Sequence, residues 1–165
     1  MTLKVGDRLP DGKFTVMGPD GPQPKTVGQI FAGKKVAMFA VPGAYTPTCS
    51  KSHMPGFVDR VDELHAKGID TIACTAVNDV FVLTNWAKDM GATGKIEMLA
   101  DGSGDFAKAI GLEIDLSNFG LGLRSKRYAM LVEDGVVKVL NVEDSPPIAD
   151  KSSAATLCSM IDRSI

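Results

Sequence analysis

The stretch KKVAMFAV at residues 34–41 places the tightest limit on the fold. Its apolar side chains run on without the alternation of a half-exposed strand, which is the pattern of a strand covered on both faces. IDTIACTAV at 69–77 repeats that pattern. The segment between them, CSKSHMPGFVDRVDELHAKG, reads as a helix. Phe57, Val61 and Leu64 recur at helical spacing, Gly68 terminates it, and Pro55 is expected to kink or interrupt it. NDVFVLTNWAKDMG (78–91) is a second helix, capped by Asn78 or Asp79 and ended by Gly91, with Trp86 packing it against the sheet.

IEMLA (96–100) reads as a strand, GDFAKAIG (104–111) as a short helix, and RYAMLVEDGVVKVLNV (127–142) as a hairpin turning on Asp-Gly. KSSAATLCSMID (151–162) is a last helix, with Ala154, Leu157, Cys158, Ile161 and Ile165 on one apolar stripe. GPDGPQPK (18–25) is too short and early to join two domains and reads as a loop. The expected architecture is one α/β domain over residues 1–165, with a mixed central sheet flanked by helices and the hairpin as its antiparallel part.

A chain of 165 residues with 44% hydrophobic and 23% charged residues can bury a core without disulfides or metal. Its net charge of −2 and lack of basic runs give no reason to expect nucleic acid or an anionic membrane as partner. No apolar stretch approaches the roughly 20 residues that span a bilayer. The opening MTLKVGDRLPDG has no signal-peptide pattern, so a soluble, cytoplasmic protein is expected. The three cysteines, Cys49, Cys74 and Cys158, are dispersed and form no CxxC, which suits a reducing compartment.

VPGAYTPTCS (41–50) places Cys49 just past a strand's carboxyl end and in the first turn of a helix. Ligands in such sheets gather at that end of the strands, and the free N–H groups of a helix start favour an anion such as a thiolate. Thr46, three residues earlier, can turn its hydroxyl toward the sulfur, where it suits a substrate carrying an O–H group. Pro42 and Pro47 stiffen the loop. An isolated cysteine is more often a small buried hydrophobe, but a proline-rich loop between strand and helix favours reactivity. TPTC also reads as a CxxC whose first cysteine is threonine, a weak pointer to a one-sulfur thioredoxin-like site.

PGAYTPTC matches PxxxTxxC, the active-site motif of the peroxiredoxins, and the sequence closely resembles that family. VPGAYTPTCSKSHMPGF, CTAVNDVFVLTNW, LADGSGDFAKAIGL, RSKRYAMLVEDGVVKVLNVE and the opening KVGDRLPDG are similar to the peroxiredoxin-5 type in particular. The resemblance implies a thioredoxin-like fold and a peroxidase acting on hydrogen peroxide and alkyl hydroperoxides in antioxidant defence. It implies that Cys49 is the peroxidatic cysteine, cycling through a sulfenic acid, and that Thr46 and Pro42 shape its pocket. It also implies an arginine from a distant strand, matching Arg127, with Arg124 as rival or support. A guanidinium there is always charged and can donate to a thiolate or a peroxide oxygen.

Gly43, Thr48 and Phe119 are expected to contact substrate, Phe119 alternatively packing in the core or a dimer. No metal or organic cofactor is expected; His53 and His65 have no third ligand nearby, and a packing or hydrogen-bonding role fits His53 better than tuning of the site. Cys74, mid-strand, and Cys158, on an apolar helix stripe, both read as core. Some members of the family resolve the sulfenic acid with a C-terminal cysteine on a loop soon after the NVE strand; Cys158 matches that position poorly, and a Cys49–Cys158 disulfide, which would require local unfolding, is the lesser alternative. The expected reductant is therefore an external thiol, glutathione with glutaredoxin, or alternatively thioredoxin. The family also implies a homodimer. The competing classes are a thiol transferase and a redox sensor on the same scaffold.

Overall fold

The computed structural model describes residues 2–164, without the side chains of the last three; Ile165, assigned above to the apolar stripe, lies outside the described residues. The two apolar runs are strands β3 (Lys35–Ala40) and β4 (Thr71–Ala76). They pair in parallel from Val36↔Thr71 to Ala40↔Thr75. Their continuous hydrophobicity has a direct cause. Ala37 and Phe39 face one buried cluster, while Val36, Met38 and Ala40 face the other. A period-two element with cores on both sides favours apolar residues at successive positions, and Thr75 of β4 is the polar residue buried among them.

Around this pair lie β1 (Lys13–Gly18), β2 (Gly21–Thr26), β5 (Glu97–Ala100), β8 (Tyr128–Glu133) and β9 (Val136–Val142). The sheet order is β2-β1-β5-β4-β3-β8-β9. β4 and β5 are parallel, whereas β1 with β2, β1 with β5, β3 with β8, and β8 with β9 are antiparallel. The expected mixed sheet is present. Its hairpin turns on Asp134 and Gly135 at φ 48° and 78°, the two positive values that a two-residue turn of this hand requires.

The stretch 18–25, expected to be a loop, is the turn and most of an antiparallel edge strand. Pro22 and Pro24 hid it, because proline cannot donate to a ladder. At an edge the loss costs little: residues two apart present their backbone to the same side, and here that side is the open rim. A smaller ribbon of β6 (Glu113–Asp115) and β7 (Leu123–Ser125) was not foreseen either.

Helix α1 (Val27–Phe31) closes a capping box through Thr26 and Gln29. With α5 (Asp105–Ala109) it covers one face of the sheet; Val27, Ile30, Phe31 and Phe106 all enter that core. The other face carries α2 (Met54–Asp59), α3 (Val61–Ala66), α4 (Val80–Asp89) and α6 (Ala154–Ser164). Phe57 of α2 stacks on Phe39 of β3 with centroids 4.0 Å apart and planes 5° from parallel. Truncating such a buried ring typically costs about 3–5 kcal/mol. Asp79, not Asn78, caps α4, accepting from the Val82 N–H at 2.8 Å.

The helix expected after Cys49 departs from its sequence reading in two ways. Residues Cys49–His53 form a π-helical turn, in which the Met54 N–H reaches the Cys49 carbonyl. The π turn gives way to α2 at Met54, beside Pro55, and a further break that no proline marks falls at Arg60, where φ is −111° and ψ 15°. Pro55 sits in the first turn of α2, where a missing N–H is tolerated.

Candidate active site

The loop leaving β3 is pinned at several points before it reaches Cys49. The Val41 N–H continues the ladder to the Thr75 carbonyl at 3.1 Å. Asn78 accepts from the Ala44 N–H at 2.9 Å, so of the two residues expected at the start of α4, Asp79 caps it and Asn78 holds this loop. Tyr45 adopts a left-handed φ of 66°, uncommon for a residue with a side chain, and its hydroxyl donates to Asp89 at 2.6 Å. Arg124 donates from Nη1 to the Pro42 carbonyl at 3.3 Å and from Nε to the Leu121 carbonyl at 2.8 Å. A Cβ on Gly43 would lie 2.6 Å from that Nη1, so only glycine admits the arginine this close.

These restraints deliver two donors to one sulfur. Cys49 is fully buried, at 0% exposure. Thr46 Oγ1 lies 2.8 Å from its Sγ and 2.7 Å from the Gly43 carbonyl oxygen. A hydroxyl has one proton, and a carbonyl can only accept. With a neutral thiol, Thr46 donates to Gly43 and accepts from the S–H; with a thiolate, its proton turns to the sulfur. Arg127, 3% exposed, donates from Nη2 to Sγ at 3.0 Å. Its remaining partners are neutral: the Pro146 carbonyl at 3.0 Å from Nε and His53 Nδ1 at 2.9 Å from Nη1. Among the described residues it has no carboxylate partner, so the sulfur is the group positioned to balance this buried charge.

His53 is one turn along from Cys49, stacked in a tilted contact with Phe39. Its partners fix its state. The Ser152 carbonyl, 2.8 Å from Nε2, can only accept, so Nε2 carries the proton and Nδ1 accepts from Arg127. Burial first, and the Arg127 charge second, push its pKa down to about 3. The imidazole is therefore neutral at physiological pH. The hydrogen-bonding role expected for it fits this geometry.

The other expected site residues fall unevenly. Pro42 and Gly43 are buried beside Arg124 and Thr46. Thr48 does not aim its hydroxyl at the sulfur; it donates to the Pro147 carbonyl at 3.0 Å. Phe119 lies on a 3-10 turn and is 77% exposed, so its core alternative is wrong. Trp86 is fully buried as expected, and its Nε1–H reaches Ser50 Oγ at 3.1 Å. All three cysteines are buried thiols. Cys74 shares the apolar cluster of Cys49, and its burial pushes the thiol well above its ordinary range. Cys158 lies in the same cluster from α6. Among the described residues, no group of three potential ligands is placed to hold a metal ion, and no helix is long and apolar enough to cross a membrane.

A sulfur held by a hydroxyl and a guanidinium at the carboxyl end of a central strand defines a thiol-based protein of the thioredoxin-like class. The family model described as Redoxin matches residues 4–158. The chain belongs to that family, among its peroxiredoxins of the peroxiredoxin-5 type. It is 49% identical over 156 residues to chloroplastic peroxiredoxin-2E of Arabidopsis thaliana, covering 92% of this chain and 67% of the relative. The structure of reduced Prx3 of Vibrio vulnificus with hydrogen peroxide superposes with a TM-score of 0.92 at 46% identity, covering 97% of this chain and 99% of that one. Peroxiredoxin 5 of Alvinella pompejana gives 0.84 at 35% identity, with 98% and 99% covered. The Arabidopsis relative is chloroplastic by name, which does not repeat the cytoplasmic expectation.

Proposed function

We propose that the chain, as one domain over residues 1–165, is a thiol-dependent peroxidase reducing hydrogen peroxide and alkyl hydroperoxides through Cys49. The observation that carries this reading is the pair of donors on one buried sulfur, Thr46 at 2.8 Å and Arg127 at 3.0 Å. A relative 46% identical has been crystallised with hydrogen peroxide, which supports the same substrate here. The Cys49 thiolate attacks the terminal peroxide oxygen, forming an S–O bond as the O–O bond breaks. The departing oxygen takes a proton and leaves as water or an alcohol, and Cys49 becomes a sulfenic acid. Charge developing on that oxygen meets Arg127 and the Thr46 hydroxyl, donors already oriented before reaction. Pro42 and Gly43 act through their carbonyls, which hold Arg124 and Thr46.

An external thiol then attacks the sulfenic acid, expelling water and leaving a mixed disulfide, which a second thiol reduces. Glutathione with glutaredoxin is the proposed donor, with thioredoxin the alternative. The placement of Cys74 inside β4 and of Cys158 inside α6, rather than on a loop free to approach Cys49, supports an outside reductant. The exposed rings of Tyr45, Phe81 and Phe119 support a homodimer, and three dispersed cysteines with no CxxC fit a reducing compartment such as the cytoplasm. Thr48 is assigned to holding the Pro147 loop, and Phe119 to a wall or dimer contact.

The test is steady-state reduction of hydrogen peroxide and cumene hydroperoxide with each donor system, beside Cys49→Ser. Turnover that vanishes in the variant supports the reading. Reduction of neither peroxide with any donor overturns it and leaves a thiol transferase or a sensor.

A further inference from the structure

Glu143 and Ser152 are small or acidic residues of ordinary surface type, yet both are buried. One Glu143 carboxylate oxygen accepts from the Ser152 N–H and from the Ser152 hydroxyl, each at 2.6 Å. The Ser152 carbonyl accepts from His53 Nε2 at 2.8 Å. His53 Nδ1 accepts from Arg127 Nη1 at 2.9 Å, and Arg127 Nη2 reaches the sulfur at 3.0 Å. The register also closes through the backbone, where the Glu143 N–H donates to the Arg127 carbonyl at 2.9 Å.

We propose that Glu143 and Ser152 are positioning residues of the reactive site, acting through His53 on Arg127. Resting on the peroxidase reading, this inference adds to it the origin of the arginine's orientation. A guanidinium on a long side chain has rotational freedom that its charge alone does not remove. Here three acceptors in different directions, Pro146 O, His53 Nδ1 and Cys49 Sγ, fix its plane. His53 performs this task only as the Nε2–H tautomer, and the Ser152 carbonyl selects that tautomer. Ser152 in turn lies in the segment between β9 and α6, which has no regular structure to hold its carbonyl in place. The two bonds to Glu143 supply that hold. Among the described residues, Arg127 and the Cys74 thiol act on the sulfur or the ring, the Cys158 thiol lies in the same buried cluster as Cys49, and Glu143 is one residue further out.

The experiment compares Glu143→Ala, Glu143→Gln, His53→Ala and the double variant His53→Ala with Glu143→Ala. Two readouts are taken: the rate constant for peroxide oxidation of Cys49, and the pH midpoint of Cys49 alkylation by iodoacetamide. Misplacing a reacting group by an ångström can cost about 100-fold, so Glu143→Ala is expected to slow oxidation by about tenfold or more and to raise the alkylation midpoint. Glu143→Gln keeps an acceptor for both Ser152 donors and recovers most of the loss. The double variant is expected to be no slower than His53→Ala alone, because both changes cut one relay. A folded Glu143→Ala with wild-type rate and midpoint, or losses that simply add in the double variant, overturns the proposal. Should Glu143→Ala not fold, Ser152→Gly replaces it in the same cycle with the same deciding outcomes. The alkylation readout needs no peroxide, so it judges the relay even for a protein that fails every peroxidase assay.

Discussion

Acid is expected to unfold this protein through one imidazole. His53 has an ordinary pKa of 6.5 when exposed and about 3 when folded, because burial and the Arg127 charge both oppose its protonation. Below pH ~6.5 the unfolded chain takes up a proton that the folded chain refuses, so stability falls as pH falls, until the folded ring itself titrates near pH 3. The slope approaches about 1.4 kcal/mol per pH unit. Between pH ~7 and pH ~4.5 the loss assignable to His53 is about 3 kcal/mol, a large share of a typical domain's stability. Urea unfolding followed by the fluorescence of Trp86, the single and fully buried tryptophan, measures it at both pH values. Other groups titrate too, with Asp7 and Asp115 held below their ordinary range and Asp101 above it by burial. The difference between wild type and His53→Gln isolates the imidazole, since glutamine offers an acceptor oxygen and an NH2 donor group and cannot titrate. A variant that loses as much stability on acidification as the wild type would refute the account of a neutral, tautomer-locked His53.

Three further outcomes follow from the same geometry. Arg127→Gln removes a charge-assisted donor worth about 1.5–3 kcal/mol, so peroxide oxidation of Cys49 should slow about 10- to 150-fold in stopped-flow measurements. Gly43→Ala forces Arg124 off the Pro42 carbonyl; the rate should drop, and adding Arg124→Ala should restore part of it by freeing the space. Cys158→Ser should leave glutathione-supported turnover largely intact, whereas loss of turnover with trapped sulfenic acid would mark Cys158 as the resolving thiol.

The parts of this fold legible in sequence were those where one residue type has one physical use. The apolar runs of β3 and β4 could only be buried strands, and Asp134-Gly135 could only turn tightly. The loop from Pro42 to Cys49 was legible for the same reason, since its prolines and lone thiol have few alternative uses together. β2 was missed because its prolines signal loops everywhere except at a sheet's edge. The π turn left no mark in the residue pattern, and Arg60 offered no breaker to announce the end of α2. Glu143 and Ser152 were invisible because their work depends on the segment before α6 folding back over Arg127, a long-range event that no local spacing encodes. Arg127 itself ranks ahead of Arg124 through family resemblance, and the ends of the two side chains give them different tasks, Arg127 at the sulfur and Arg124 at the Pro42 carbonyl.

The two rims of the sheet are chemically unlike. At β2, Pro22 and Pro24 leave gaps in the outer row of donors, so a neighbouring molecule cannot continue the ladder there. The β9 rim is covered at its start by residues 6–9: the Val137 N–H donates to the Asp7 carbonyl at 2.9 Å, and the Gly6 N–H to the Val137 carbonyl at 2.8 Å. Self-association by strand addition therefore has one entrance rather than two, so copies stacking this way can end in a closed pair but not in an open fibre.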